Sequence, residues 1–60
     1  MFNFEIEFLN KYGHIIKSFY IENCTEKQAI RKAKKEKTDL YPECAWIEIL
    51  NLNTRKRIYA

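Results

Sequence analysis

The sequence holds one glycine, one proline, one histidine, two cysteines and a lone serine at position 18. A single glycine excludes a glycine-rich phosphate loop, a collagen-like chain and a flexible linker. Two cysteines exclude a disulfide-dense scaffold. Nothing calls for an oxidising compartment, so Cys24 and Cys44 read as small apolar residues, with a Cys24–Cys44 disulfide as the alternative. A zinc site takes about four ligands at close spacing, and His14, Cys24 and Cys44 are scattered along the chain. No run approaches the roughly 18 apolar residues of a membrane span. Met1 to Leu9 carries Glu5 and Glu7 and no basic stretch, unlike a secretory signal. These absences point away from catalysis, cofactors and membranes, and toward a cytoplasmic, non-enzymatic domain.

What is present is the composition of a folded domain. Of 60 residues, 47% are hydrophobic and 15% aromatic. That is too much apolar content for disorder, and the length suits one domain over residues 1–60. A chain this short buries only about 60% of its unfolded surface, so its stability is marginal.

Phe2, Phe4, Ile6 and Phe8 alternate with Asn3, Glu5 and Glu7, the period of a half-buried strand over residues 2–9. Asn10 to Gly13 supplies a turn, with the glycine at a left-handed position and a one-residue bulge. Residues 14–22 form the returning strand, with two candidate inner faces. A bulged hairpin aligns Phe8 with Ile16 and favours His14, Ile16, Ser18 and Tyr20. Apolar content favours Ile15, Lys17, Phe19 and Ile21, and Phe19 and Ile21 are taken as the inner pair. Thr25 to Gln28 is a capping box, opening a helix from about Glu26 to about Lys37 with Ala29, Ile30 and Ala33 as its buried stripe. Tyr41-Pro42 ends the helical region. Residues 43–50 form a third strand, with Ala45, Ile47 and Ile49 on one face and Cys44, Trp46, Glu48 and Leu50 on the other. Asn51 to Thr54 turns the chain into a short strand from Arg55 to Tyr59. The fold class is α+β: a ββαββ two-layer domain, one helix on a four-stranded, mainly antiparallel sheet.

Two surfaces stand out. The net charge of +3 is local, because residues 25–39 carry six bases and three acids while the remainder carries five of each. On a helix whose stripe is Ala29, Ile30 and Ala33, residues Lys27, Arg31, Lys34 and Lys35 face solvent, Lys32 lies at one flank, and no acid interrupts them. Like charges at i,i+4 cost a few tenths of a kcal/mol each, so fold stability does not explain the row. It suits an acidic protein surface, nucleic-acid phosphates, or simple solvation in a lysine-rich chain. Arg55, Lys56 and Arg57 form a second, strand-borne basic cluster.

The other surface is the uncovered face of the sheet, expected to carry some of Leu9, Ile16, Tyr20, Trp46 and Leu50. Tyr20 and Trp46 are the residues of choice for a hot spot, serving a homodimer or a docked partner. The bland alternative is that Tyr20 and Trp46 cover one another, or that Tyr41 and the Leu40–Pro42 segment wrap beneath them.

The run Phe19-Tyr20-Ile21-Glu22-Asn23-Cys24-Thr25, followed by Gln28-Ala29-Ile30 and Ala33, resembles a pattern in small ββαββ proteins carried by bacteriophages and mobile elements. In that pattern a strand runs into a Thr- or Ser-capped helix holding A-I-x-x-A. Some small phage proteins of this size inhibit host-defence nucleases, anti-CRISPR proteins among them. The resemblance spans about half the chain and implies a protein-binding inhibitor or regulator that sterically blocks a host complex. Its matching positions are structural, so it assigns no binding residue. Many such inhibitors are acidic mimics of DNA; this chain is basic, which departs from that mode. The alternative reading is a nucleic-acid-binding protein acting through Lys27, Arg31, Lys34 and Lys35.

Overall fold

A computed structural model describes residues 1–60. Five elements follow one another: β1 (Phe2–Leu9), β2 (Ile15–Cys24), α1 (Glu26–Leu40), β3 (Trp46–Asn51) and β4 (Arg57–Tyr59). The strands form one sheet in the order β2-β1-β3-β4, and every neighbouring pair is antiparallel. One helix covers one face of this sheet, giving the expected ββαββ domain.

The core follows from the alternation in β1. Phe4, Ile6 and Phe8 point to the helix side and are buried, joined by Ile21 of β2 and by Ile47 and Ile49 of β3. Each such side chain contributes about 1.5–3 kcal/mol on burial. Phe8 packs edge-on against both Phe19 and Tyr41, at 5.5 and 5.3 Å between ring centroids. Ala29 and Ala33 seat the helix against this layer, and their small side chains permit the close approach. Ile30 packs at the margin. The capping box forms as spelled: the Gln28 N–H donates to Thr25 Oγ1 at 3.2 Å, and the Thr25 N–H to Gln28 Oε1 at 2.9 Å.

Several boundaries differ from the sequence reading. The helix runs to Leu40, past Lys37, because the Tyr41 N–H still donates to the Lys37 carbonyl at 3.0 Å before Pro42 ends it. β3 begins at Trp46. Residues 41–45 form a turn closed by Cys44 N–H to the Tyr41 carbonyl. That turn releases Cys44 from strand alternation, so it enters the core while Ala45 is exposed. Cys24 and Cys44 are both buried free thiols.

The register of β2 resolves both competing cues. Asn10 N–H donates to the His14 carbonyl and Leu9 pairs with Ile15, as the bulged turn requires. A shift between Phe8 and Leu9 then pairs Phe8 with Lys17, Ile6 with Phe19 and Phe4 with Ile21. The one-residue slip at Ile16 moves Phe19 and Ile21 to the core side and leaves Tyr20 outward. A second shift, between Phe2 and Phe4, lies near Asn23, which adopts φ 55°.

Candidate functional site

The helix leaves the end of β2 at Cys24 and runs back until Tyr41 meets Phe8, lying mainly over β1 and β3. Its flank toward β2 is therefore open. A groove of about 450 Å³ lies there, lined by Ile21, Glu22 and Cys24 of β2 and by Gln28, Arg31, Lys32 and Lys35 of α1. A second hollow of about 300 Å³ continues along the same flank, lined by Lys32, Lys35, Glu36, Asp39 and Leu40. Lys32 and Lys35 border both.

This geometry divides the five helix cations expected at a binding face. Arg31, Lys32 and Lys35 gather along the groove. Lys27 and Lys34 are exposed on α1 but line neither hollow. The expected acid-free face has one interruption: Lys35 Nζ lies 3.2 Å from Asp39 Oδ2, one helical turn on, in an exposed pair. Such a pair contributes about 0.3–0.5 kcal/mol. Lys27, Arg31, Lys32 and Lys34 make no ion pair.

The opposite face of the sheet carries Leu9, Tyr20, Trp46 and Leu50 as expected, with Ile15 and Tyr59 beside them, but these surround a polar centre. Strand pairing sets Glu7 directly across from Glu48, and Glu5 beside Leu50. Opposed like charges destabilise a sheet. Arg57 relieves them: its Nη1 lies 2.7 Å from Glu48 Oε1 and 4.0 Å from Glu7 Oε1. The hydrogen bond with Glu48 raises the Arg57 pKa above its ordinary value, against some desolvation, with Coulombic support from Glu48, Tyr59 and Glu7. Trp46 Nε1 donates to Glu48 Oε2 at 3.2 Å, and Tyr20 Oη reaches Glu5 Oε2 at 3.5 Å. Glu5, Glu7, Glu48 and Arg57 thus form an internally paired polar centre.

Tyr20 and Trp46 sit at different ends of this face. Tyr20 pairs with Glu5 and Trp46 with Leu9, four residues or about 13 Å apart along β1. They do not cover one another, and Tyr41 packs on Phe8 on the helix side instead of beneath them. Trp46 is half-buried, its ring edge close to Gly13 of the first turn. Tyr20 is 63% exposed. Ile16 leaves this face for the core margin.

The sequence reading missed the carboxylate centre and the groove. Glu5, Glu7 and Glu48 were each visible as the polar half of an alternating strand, but their meeting depends on β1 pairing with β3. Arg57 was grouped with Arg55 and Lys56 as a basic cluster, whereas its charge is held by Glu48. Glu22 and Gln28 carried no signal of a groove.

No group of three or more His, Cys, Asp or Glu is placed to hold a metal ion, and no helix is long and apolar enough to cross a membrane. No protein-family model, curated protein or solved structure matches this chain.

Proposed function

We propose that this protein is a non-enzymatic, cytoplasmic protein-binding module that occupies an acidic surface of a partner complex. That is the action expected of a small phage- or mobile-element-borne inhibitor of a host defence nuclease. One observation carries the reading: the groove between β2 and α1 combines apolar lining from Ile21 and Cys24 with the cations Arg31, Lys32 and Lys35. A peptide offers both apolar and carboxylate groups to such a surface. A phosphate backbone offers only charge and leaves the apolar lining unfilled.

Homodimerisation through the open sheet face has less support. A two-fold contact places the same patch on both copies, so each copy brings three carboxylates, Glu5, Glu7 and Glu48, and one Arg57 to the contact, an excess of negative charge on both sides.

Nucleic-acid binding is the second reading, favoured by the unpaired row Lys27, Arg31 and Lys34. The two readings use different cations, which makes them separable. Affinity for duplex DNA is measured across a salt gradient, with and without Lys27→Gln and Lys34→Gln. Protein binding through the groove predicts weak DNA affinity and a log–log slope shallower than about −3, little changed by the two substitutions. A steeper slope that flattens by about 0.9 per substituted lysine overturns the protein-binding reading in favour of nucleic acid.

A further inference from the structure

We infer that the outer edge of β2 accepts an extended acidic peptide as a fifth strand, with alternate carboxylates set into the groove beside α1. The inference rests on the protein-binding reading and names the form of the partner.

β2 is an edge strand of ten residues, paired on one side with β1. The other edge, β4, is three residues long. Long uncovered edges present a row of unpaired N–H and C=O groups, and native proteins shorten, bend or charge them to prevent pairing. β2 is bent at both ends by its register shifts, but from Lys17 to Ile21 it pairs regularly with β1, residue for residue. Those five residues are a straight template of the kind that peptide-binding domains use for strand addition.

Charge selects the occupant. Residues of an added strand alternate between the two sheet faces. On the helix side they meet Lys17, then the apolar Phe19 and Ile21 of β2, and across the groove Arg31, Lys32 and Lys35, with Glu22 the one acid of the β2 lining. Glutamate or aspartate at every second position reaches past Phe19 and Ile21 to the three helix cations. On the other side they run beside the exposed ring of Tyr20, where β-branched or aromatic residues pack well. A second copy fits poorly. Two-fold pairing of β2 with β2 sets both helices on one face of the joined sheet, so that Lys17, Arg31, Lys32 and Lys35 of each copy face the same cations of the other.

The probe is a synthetic peptide of alternating Glu and Val, about six residues long, titrated into the ¹⁵N-labelled full chain. The expected result is amide shifts and slowed hydrogen exchange over Lys17–Ile21, with further shifts along Gln28–Lys35. Arg31→Glu with Lys35→Glu weakens binding more than about tenfold. Methylating alternate peptide nitrogens separates strand addition from simple charge attraction, since only one of the two alternate sets faces the β2 edge. One methylated peptide loses binding and the other keeps it. Equal binding of both methylated peptides overturns strand addition and leaves the acidic-partner reading standing. Concentration-dependent shifts over Lys17–Ile21 without peptide assign the edge to a second copy and overturn the proposal. No response to the peptide, with DNA binding through Lys27 and Lys34, overturns both readings.

Discussion

The hairpin of β1 and β2 and the hairpin of β3 and β4 open their turns with the same device. Asn10 Oδ1 accepts the N–H groups of Tyr12 and His14, and Asn51 Oδ1 accepts those of Asn53 and Thr54. Each turn also needs one residue in the left-handed region, and here they part. The first places Gly13 there, at φ 83°; the second places Arg55 there, at φ 63°. The strands that follow differ as well. β4 is short and its Arg57 is tied to Glu48, while β2 is long and flanked by cations of which Lys35 alone has a partner, the exposed Asp39. In the second hairpin the cation that faces the sheet is held by a carboxylate. Beside the first, Arg31 and Lys32 are left available, on the side where the groove lies.

The largest expected effect on this contrast comes from removing the first hairpin's freedom. Gly13→Ala forces a side chain into the left-handed region at a cost of about 1–2 kcal/mol. The space itself is open, the nearest atom to a new Cβ being Trp46 Cη2 at 4.0 Å, so the loss reports backbone strain and not a clash. Urea denaturation checks it. The reverse change in the second hairpin, Arg55→Gly, relieves strain but adds unfolded-state entropy, for a net gain of about 0.5–1 kcal/mol by the same measurement. A loss there would show that the two turns are not equivalent in backbone demand.

The smallest effect is that of Arg57→Met, which leaves Glu7 and Glu48 opposed. Like charges directly opposite destabilise a sheet, so the variant melts below the parent at neutral pH. Salt screens that repulsion and narrows the gap. Thermal melts of both proteins at low and high salt check it, and a gap that widens with salt contradicts the assignment of Arg57.

Much of this architecture is written locally. β1 is legible from four apolar residues at period two, and the helix start from Thr25 and Gln28 three positions apart. The end of the helix is less so, since Lys37 and Asp39 look like solvent-facing residues whether or not the last turn forms. The slip at Ile16 was legible only as a conflict between turn chemistry and apolar content. The neighbour relation of β1 and β3 was not legible at all, because a helix and two turns separate them and nothing in either strand names its partner. That pairing creates the Glu7–Glu48 contact and so defines the open face. The groove is likewise a product of where the helix rests, centred on β1 and β3 and short of the outer edge of β2. The five candidate cations could be named from sequence; that three of them, Arg31, Lys32 and Lys35, gather along the groove could not.

The place of β1 between β2 and β3 also sets a schedule. β1 and β2 adjoin in the chain and can associate within microseconds. β3 must close the span from Leu9 to Trp46 before it can dock, so completion falls on the order of milliseconds. In that interval the half-built sheet shows Phe4, Ile6 and Phe8 to water on one face, with an unpaired edge on the β3 side of β1 as well as on β2. The first hairpin is thus the segment whose apolar face waits for cover, and slow synthesis lengthens that wait.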